Sequence, residues 1–215
     1  MTALALSLSL VLAAEDAAPV TPAATEGQRW SIVGGRTAGA GANVVEGGLG
    51  WPGLYASYSR GVLSNLDLGV RVSFNYGFEG LVTRVLPGAK VQGLVKFRLS
   101  DSGPVSFGLT FEPGPLFAVD RFGNGIVGFA IPLGAKLGVS ISSAITLGFS
   151  FDVPFWVQFG GGGGANVPLL PGLGLEYFLK SELTAFFKTR MGPTIRPGGL
   201  IELSFDAHLG VGYRF

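Results

Sequence analysis

The chain contains no cysteine and a single histidine, and only 13% of its 215 residues are charged. Without cysteine there is no disulfide framework and no thiolate metal site, which suits a polypeptide that crosses an oxidising compartment unfolded. A soluble domain averages about 25% charged residues, so the low charge already argues against an ordinary water-facing surface. The 15 basic and 14 acidic side chains are spread along the sequence and leave a net charge of +1, which provides no electrostatic footprint for nucleic acid. Long apolar runs are missing as well. Mean hydropathy is +0.47, yet no stretch has the roughly 20 apolar residues that a spanning helix needs. Hydrophobicity without such a helix points to strands that face lipid.

What is plentiful is glycine, 36 residues, and phenylalanine, 17 residues. A β protein with bulky residues on one face and small ones on the other has this composition. The length accommodates one domain. At the start, Ala3 to Ala14 form an apolar run of the length of a secretory h-region, and Val11-Leu12-Ala13 offers a small-residue cleavage pattern. Met1-Thr2 leads straight into that run, so a basic n-region is lacking. Residues 1–14 are read as a signal peptide and 15–29, rich in alanine, proline and acidic residues, as a disordered linker; a short buried helix is the competing reading of the apolar run.

From Trp30 onward apolar residues recur at every second position, the pattern of strands with one apolar and one polar face. Ile201, Leu203, Phe205, Ala207, Leu209, Val211, Tyr213 and Phe215 share one face, opposite Glu202, Ser204, Asp206, His208, Gly210, Gly212 and Arg214. Leu66 to Phe78 and Ile145 to Phe159 repeat the alternation. A slip of one residue would exchange the faces, so the register is strongly specified.

Turn signals divide the chain into strands expected near 30–37, 50–62, 65–78, 85–99, 104–119, 125–141, 145–159, 169–180, 183–192 and 199–215. Ten strands result, with eight as the alternative count. Tight connections fall at Ser64-Asn65, Ser100 to Gly103, Ser142 to Ala144 and Lys180 to Glu182, and longer ones around 38–49, 79–84, 120–124, 160–168 and 193–198. Every tight turn lies on the side of the C-terminus, as expected where short turns are periplasmic and long loops external. The expected fold is an all-β, antiparallel up-and-down transmembrane β-barrel over residues 30–215, with both ends in the periplasm.

A soluble barrel or sandwich would alternate in the same way with its apolar face inward. The apolar runs argue otherwise, because about fourteen steps of ~3.3 Å tilted by ~40° rise roughly 35 Å and exceed the ~25 Å lipid-facing band. The polar faces also carry both signs of charge: Lys90, Lys96, Arg98, Glu176, Lys180, Glu182, Lys188, Arg190, Glu202 and Asp206 are candidate lumen charges able to pair across an interior.

The last eight residues, His208-Leu209-Gly210-Val211-Gly212-Tyr213-Arg214-Phe215, resemble the C-terminal insertion signal of small outer-membrane β-barrels of Gram-negative bacteria. Polar His208, Gly210, hydrophobic Tyr213 and terminal Phe215 stand at its four defined positions. The resemblance implies outer-membrane lipid as surroundings, the barrel assembly machinery as partner, and a last strand that closes against the first.

Chemistry-bearing constellations are sparse. His208 beside Asp206 would have to serve any Ser-His-Asp or lipid-modifying site, and no nucleophile motif accompanies it. Gly160 to Gly164 lack the Lys-Ser/Thr of a phosphate loop and read as an external loop. Arg60 and Glu112 have no partner that the sequence locates. A barrel of this size is nearly filled by its own side chains, so a plugged or narrow lumen is favoured over an open pore. Counting outward from the Ser142 to Ala144 turn sets Pro132 opposite Pro154, with Pro113 and Pro115 near the same height. Because proline withholds a ladder donor, this cluster is a candidate lateral gap, against ordinary bulges where the sheet leaves the membrane. The expected function is a non-enzymatic barrel of structural or surface-interaction type. A narrow channel or lateral gate for small or hydrophobic solutes is the alternative, and a lipid-modifying enzyme ranks third. No cofactor or metal is implied, and no residue pattern addresses oligomeric state.

Overall fold

The computed structural model describes residues 30–77, 81, 86–119, 122–159 and 163–215. The expected signal peptide, the linker and part of the glycine run at 160–164 lie outside the described residues.

Twelve strands form one antiparallel sheet that closes on itself: β1 (Asn43–Trp51), β2 (Gly53–Leu63), β3 (Leu66–Asn75), β4 (Gly88–Ser102), β5 (Val105–Phe111), β6 (Gly114–Val119), β7 (Gly125–Ser140), β8 (Ile145–Phe159), β9 (Ala165–Pro168), β10 (Leu170–Phe178), β11 (Leu183–Ile195) and β12 (Ile201–Arg214). The wall follows chain order, and β12 returns to β1, with Val44 opposite Arg214 and Trp51 opposite Ala207. Two positions in the wall are shared by a broken pair, β5 with β6 and β9 with β10, so the barrel is ten-stranded with two extra segments. Closure leaves no sheet edge unpaired, the condition for placing backbone in hydrocarbon.

The ten-strand count agrees with the sequence reading, but its first member does not. Residues 30–37 form no strand, and part of the expected loop at 38–49 is β1. The expected strand at 50–62 contains the end of β1, a cis Trp51-Pro52 bond and most of β2. The β1–β2 connection is therefore Pro52 alone, an external turn far tighter than expected. The tight turns at Ser64-Asn65, Ser142 to Ala144 and Lys180 to Glu182 stand where the sequence placed them, whereas the one expected at Ser100 to Gly103 falls at Gly103-Pro104 because β4 runs on through Ser102. At one of them the Ser142 hydroxyl accepts from the amides of Ala144 and Ile145 at 3.2 and 3.1 Å.

Strands β1 to β3 have 9, 11 and 10 residues, about the length that crosses a bilayer when tilted, whereas β4, β7 and β8 have 15, 16 and 15. The wall strands are therefore longer on one side, and β4 outruns β3 at its periplasmic end, where Leu66 already pairs with Phe97.

Alternation sorts every strand into two faces. Outward positions carry leucine, valine, isoleucine, phenylalanine and tyrosine; Leu49, Phe74, Leu133, Phe151, Leu173 and Leu209 are among the exposed large side chains. Among the described strand residues on this face, Arg60 is the one charged exception, three residues before the end of β2 and opposite Asn43 and Leu68. At that height its long stem reaches the headgroup layer. Inward positions hold Asp67, Lys96, Asp152, Glu176, Asp206 and His208, all buried.

Candidate functional site in the barrel lumen

The lumen is occupied from the periplasmic end by Trp30 to Ala38, every residue of which is buried. Trp30 donates from Nε1 to the Ser181 carbonyl in the periplasmic turn at 3.0 Å and meets Phe178 edge-on. The chain then rises into the barrel, bends at Gly34-Gly35 and returns to the rim. There Arg36 donates to Asp101 at 3.0 Å, to Ser140 at 2.8 Å and to the Gly103 carbonyl at 2.7 Å. Thr37 bonds the Ser64 carbonyl at 2.7 Å, and β1 begins shortly after. Residues 30–38 are thus a re-entrant stopper.

Its fit depends on glycine. A Cβ on Gly35 would lie 2.5 Å from the Phe107 carbonyl carbon and 2.6 Å from the Gly108 nitrogen; one on Gly34 would lie 2.9 Å from Gly138 Cα. The wall answers in kind: Cβ atoms on Gly148 or Gly174 would each meet Val33 at 2.7 to 2.8 Å. Inward glycines on β5, β7, β8 and β10 form the recess in which the segment sits.

Wall charges address its backbone. Glu176, fully buried, accepts from the Ser31 hydroxyl at 2.5 Å and from the Ile32 amide at 3.1 and 3.2 Å. Asp67 accepts the Ala38 amide with both oxygens at 3.0 and 2.9 Å. Lys96 donates to the Ser31 carbonyl at 2.5 Å, and Lys136 to that of Ile32 at 3.4 Å. Burying these ions without such partners would cost several kcal/mol each, about the scale set by desolvation.

Above the stopper lies a cavity of about 120 Å³, lined among others by Lys90, Lys136, Ser150, Pro132 and Pro154. Ion pairs cross it. Arg71 pairs with Glu112 and lies 3.7 Å from Glu46, which Lys188 also meets at 3.1 Å. The Tyr55 hydroxyl bonds Glu46, and its ring lies between the Arg71 and Lys188 cations, 4.8 and 4.5 Å from its centre. Arg190 bridges Asp206 at 2.5 Å and Asp152 at 3.4 Å. Paired opposite charges of this kind place ionic side chains around the cavity.

The external mouth is crossed by Leu81. Its backbone bridges Ser204 on β12, while its buried side chain packs with Leu116, Ala118, Ala130 and Trp156 of β6, β7 and β8 on the opposite wall.

A polar, charge-paired interior inside a closed wall whose exterior is apolar inverts the arrangement of a water-soluble barrel. This chain folds as a transmembrane β-barrel. No family model and no curated protein matches its sequence. Solved structures with a similar barrel include OmpT, an outer membrane protein of Vibrio cholerae, at 16% identity, 82% of this chain, 61% of that chain and a TM-score of 0.39. The NanC porin follows at 12%, 80%, 98% and 0.42, and the KdgM porin at 11%, 81%, 99% and 0.39. The chain spans about three-fifths of the length of the Vibrio protein. Likeness at this level extends no further than architecture.

The candidate lumen charges take different places. Lys188, Arg190 and Asp206 lie in the central layer, and Lys90 lines the cavity. Lys96 and Glu176 hold the stopper. Arg98 pairs with Asp101 at the periplasmic rim at 3.1 Å, and Glu202 pairs with Arg196 at the external rim at 2.9 Å. Lys180 and Glu182 lie in the turn between β10 and β11, outside the lumen; there the Ser181 hydroxyl bonds Glu182 and holds its carboxyl below the usual range. Sequence reasoning left Glu112 without a partner, and Arg71 supplies it. It also passed over Arg36, Glu46 and Lys136; inward parity marks the last of these on β7, but only the return of 30–38 into the barrel gives Arg36 its partners.

His208 faces inward with Nδ1 3.2 Å from Asp206, and the Tyr55 ring stands edge-on 5.2 Å away. Gly210 is on the same face; Tyr213 and Phe215 point to lipid with their rings stacked at 5.8 Å. Pro132 faces Pro154 across β7 and β8 with the register unbroken, so no bulge forms there. The Glu112 amide bonds the Pro132 carbonyl at 3.0 Å, which places the missing Pro132 donor on the β5 side, where β5 gives way to Pro113 and β6. Pro115 lies opposite Phe129.

Proposed function

We propose that this protein is a non-conducting outer-membrane barrel whose role is structural or surface-interacting rather than transport or catalysis. The observation that carries the reading is the occupation of the lumen: the segment Trp30 to Ala38 fills the periplasmic end, and Leu81 spans the external one. Between them the inward-facing pairs Arg71–Glu112 and Arg190–Asp206 project from the wall into the lumen. Insertion follows recognition of His208, Gly210, Tyr213 and Phe215 by the barrel assembly machinery. Purified protein in planar bilayers is expected to give no stable conductance steps. Steady ohmic steps from folded, heat-modifiable protein would refute the reading in favour of a narrow channel.

One observation favours a second reading. Pro113, Pro115, Pro132 and Pro154 thin the hydrogen-bond ladder of adjacent strands beside the cavity, which is where a lateral opening toward the outer leaflet would form. The charged lining makes that route unfit for a purely apolar solute, so its passenger would be amphipathic. Replacing all four prolines by alanine without changing uptake of amphipathic compounds would remove this alternative. The enzyme reading requires a nucleophile near His208. A lipid A mass change on overexpression that disappears in His208→Ala would revive it.

A further inference from the structure

We propose that the periplasmic half of the lumen is a peptide-binding site, and that Trp30 to Ala38 is its tethered, separable ligand rather than a part of the wall. The segment enters no strand ladder although sheet surrounds it. Four wall side chains address its main chain: Glu176 and Asp67 take amides, Lys96 and Lys136 give to carbonyls; Glu176 also takes the Ser31 hydroxyl, and Asp101 and Ser140 hold the Arg36 side chain. Main-chain recognition of that kind holds a peptide in place whatever its sequence, and the bonds to the Ser31 and Arg36 side chains add selection. Space selects as well. The recess beside Gly108 and Gly138 admits two residues without Cβ, so the ligand class is a bent peptide loop carrying a Gly-Gly pair at its turn.

The tether is built to turn. Gly39 and Gly41, at φ +90° and +80°, adopt a conformation that other residues rarely enter, and they reverse the chain between the stopper and β1. Trp30, the first described residue, stands at the periplasmic rim beside Ser181. Both ends of the ligand therefore lie on one side, and the segment can withdraw without threading through the wall.

Because the chain has no cysteine, Ile32→Cys is a clean reporter of occupancy. Folded full-length protein carrying it is exposed to a bulky polar maleimide, alone and after addition of Gly35→Ala, whose Cβ would strike the backbone of Phe107 and Gly108. Slow labelling is expected in the single variant, and labelling at least tenfold faster in the double variant while heat-modifiable migration is retained. As a second measurement, an excess of free nonapeptide with the sequence of residues 30–38 is expected to accelerate labelling of the single variant by competing for the recess. The proposal is overturned if the double variant folds and stays protected. It is equally overturned if the double variant fails to fold and the nonapeptide has no effect, because the segment is then an inseparable piece of the barrel core. A single variant that conducts in bilayers while its introduced thiol stays protected until the nonapeptide is added would refute the non-conducting reading and leave this one standing.

Discussion

Removing the Glu176 carboxylate tests the energetics of the occupied lumen most directly. Glu176 accepts one hydroxyl and one amide from the stopper while wholly buried on β10. In Glu176→Gln a neutral oxygen still accepts from Ile32, so the loss is the charge assistance on these bonds, about 1–2 kcal/mol. Glu176→Ala removes the acceptor altogether, leaves the Ile32 amide unsatisfied and takes a nearby negative charge from Lys96, which together cost about 3–5 kcal/mol. At about 1.4 kcal/mol per factor of ten, the alanine variant shifts the balance between seated and unseated stopper by roughly 10² to 4 × 10³. The assay is urea titration in detergent micelles, read by tryptophan fluorescence and by heat-modifiable migration. The alanine variant should show a fluorescence transition at lower urea than the loss of barrel migration, with Trp30→Phe used to assign the early change to the stopper. The glutamine variant should fall between it and the parent. If Glu176→Ala matched the parent in both readouts, the carboxylate would not be holding the segment and the reasoning would fail.

Three further outcomes follow from the same placement of charge and apolar surface. Val70→Arg, on the lipid face in the middle of β3, should cost about 2–4 kcal/mol in refolding titrations into vesicles, whereas Arg60→Leu at the headgroup height should change stability by about 1 kcal/mol or less; equal effects would contradict the assigned membrane position. Arg190→Leu leaves Asp152 and Asp206 buried without their shared cation and should cost about 3–5 kcal/mol, with the addition of Asp206→Leu recovering part of it in a double-mutant cycle. Deleting Phe215 should reduce the level of folded protein in the outer membrane of cells several-fold while leaving refolding of purified protein in detergent nearly unchanged; equal loss in both would make the residue a packing element and not an assembly signal.

Much of the wall is legible in the order of the residues. Period-two alternation in β3, β8 and β12 separates lipid-facing from lumen-facing side chains, since a single residue's slip would bury charge in hydrocarbon. Turn residues locate four of the periplasmic reversals, and counting from one of them sets Pro132 opposite Pro154, as the β7–β8 register has it. The strand beginning at Asn43 escapes such a reading because Glu46-Gly47-Gly48-Leu49-Gly50 is too rich in glycine to show an apolar face, and the pairing that makes it a strand is with β12, at the far end of the chain.

What sequence alone determined, then, is which side of each strand meets lipid, because alternation is a local property that the solvent on each side enforces. What only tertiary structure decided is the content of the lumen. Trp30-Ser31-Ile32-Val33 reads as well for a strand as for a stopper, and nothing local reveals that Gly34-Gly35 will press against Gly138 and Gly108 or that Glu176 will accept the Ile32 amide. Those contacts join residues more than 70 positions apart and come into existence only when closing the barrel creates an interior for the segment to enter.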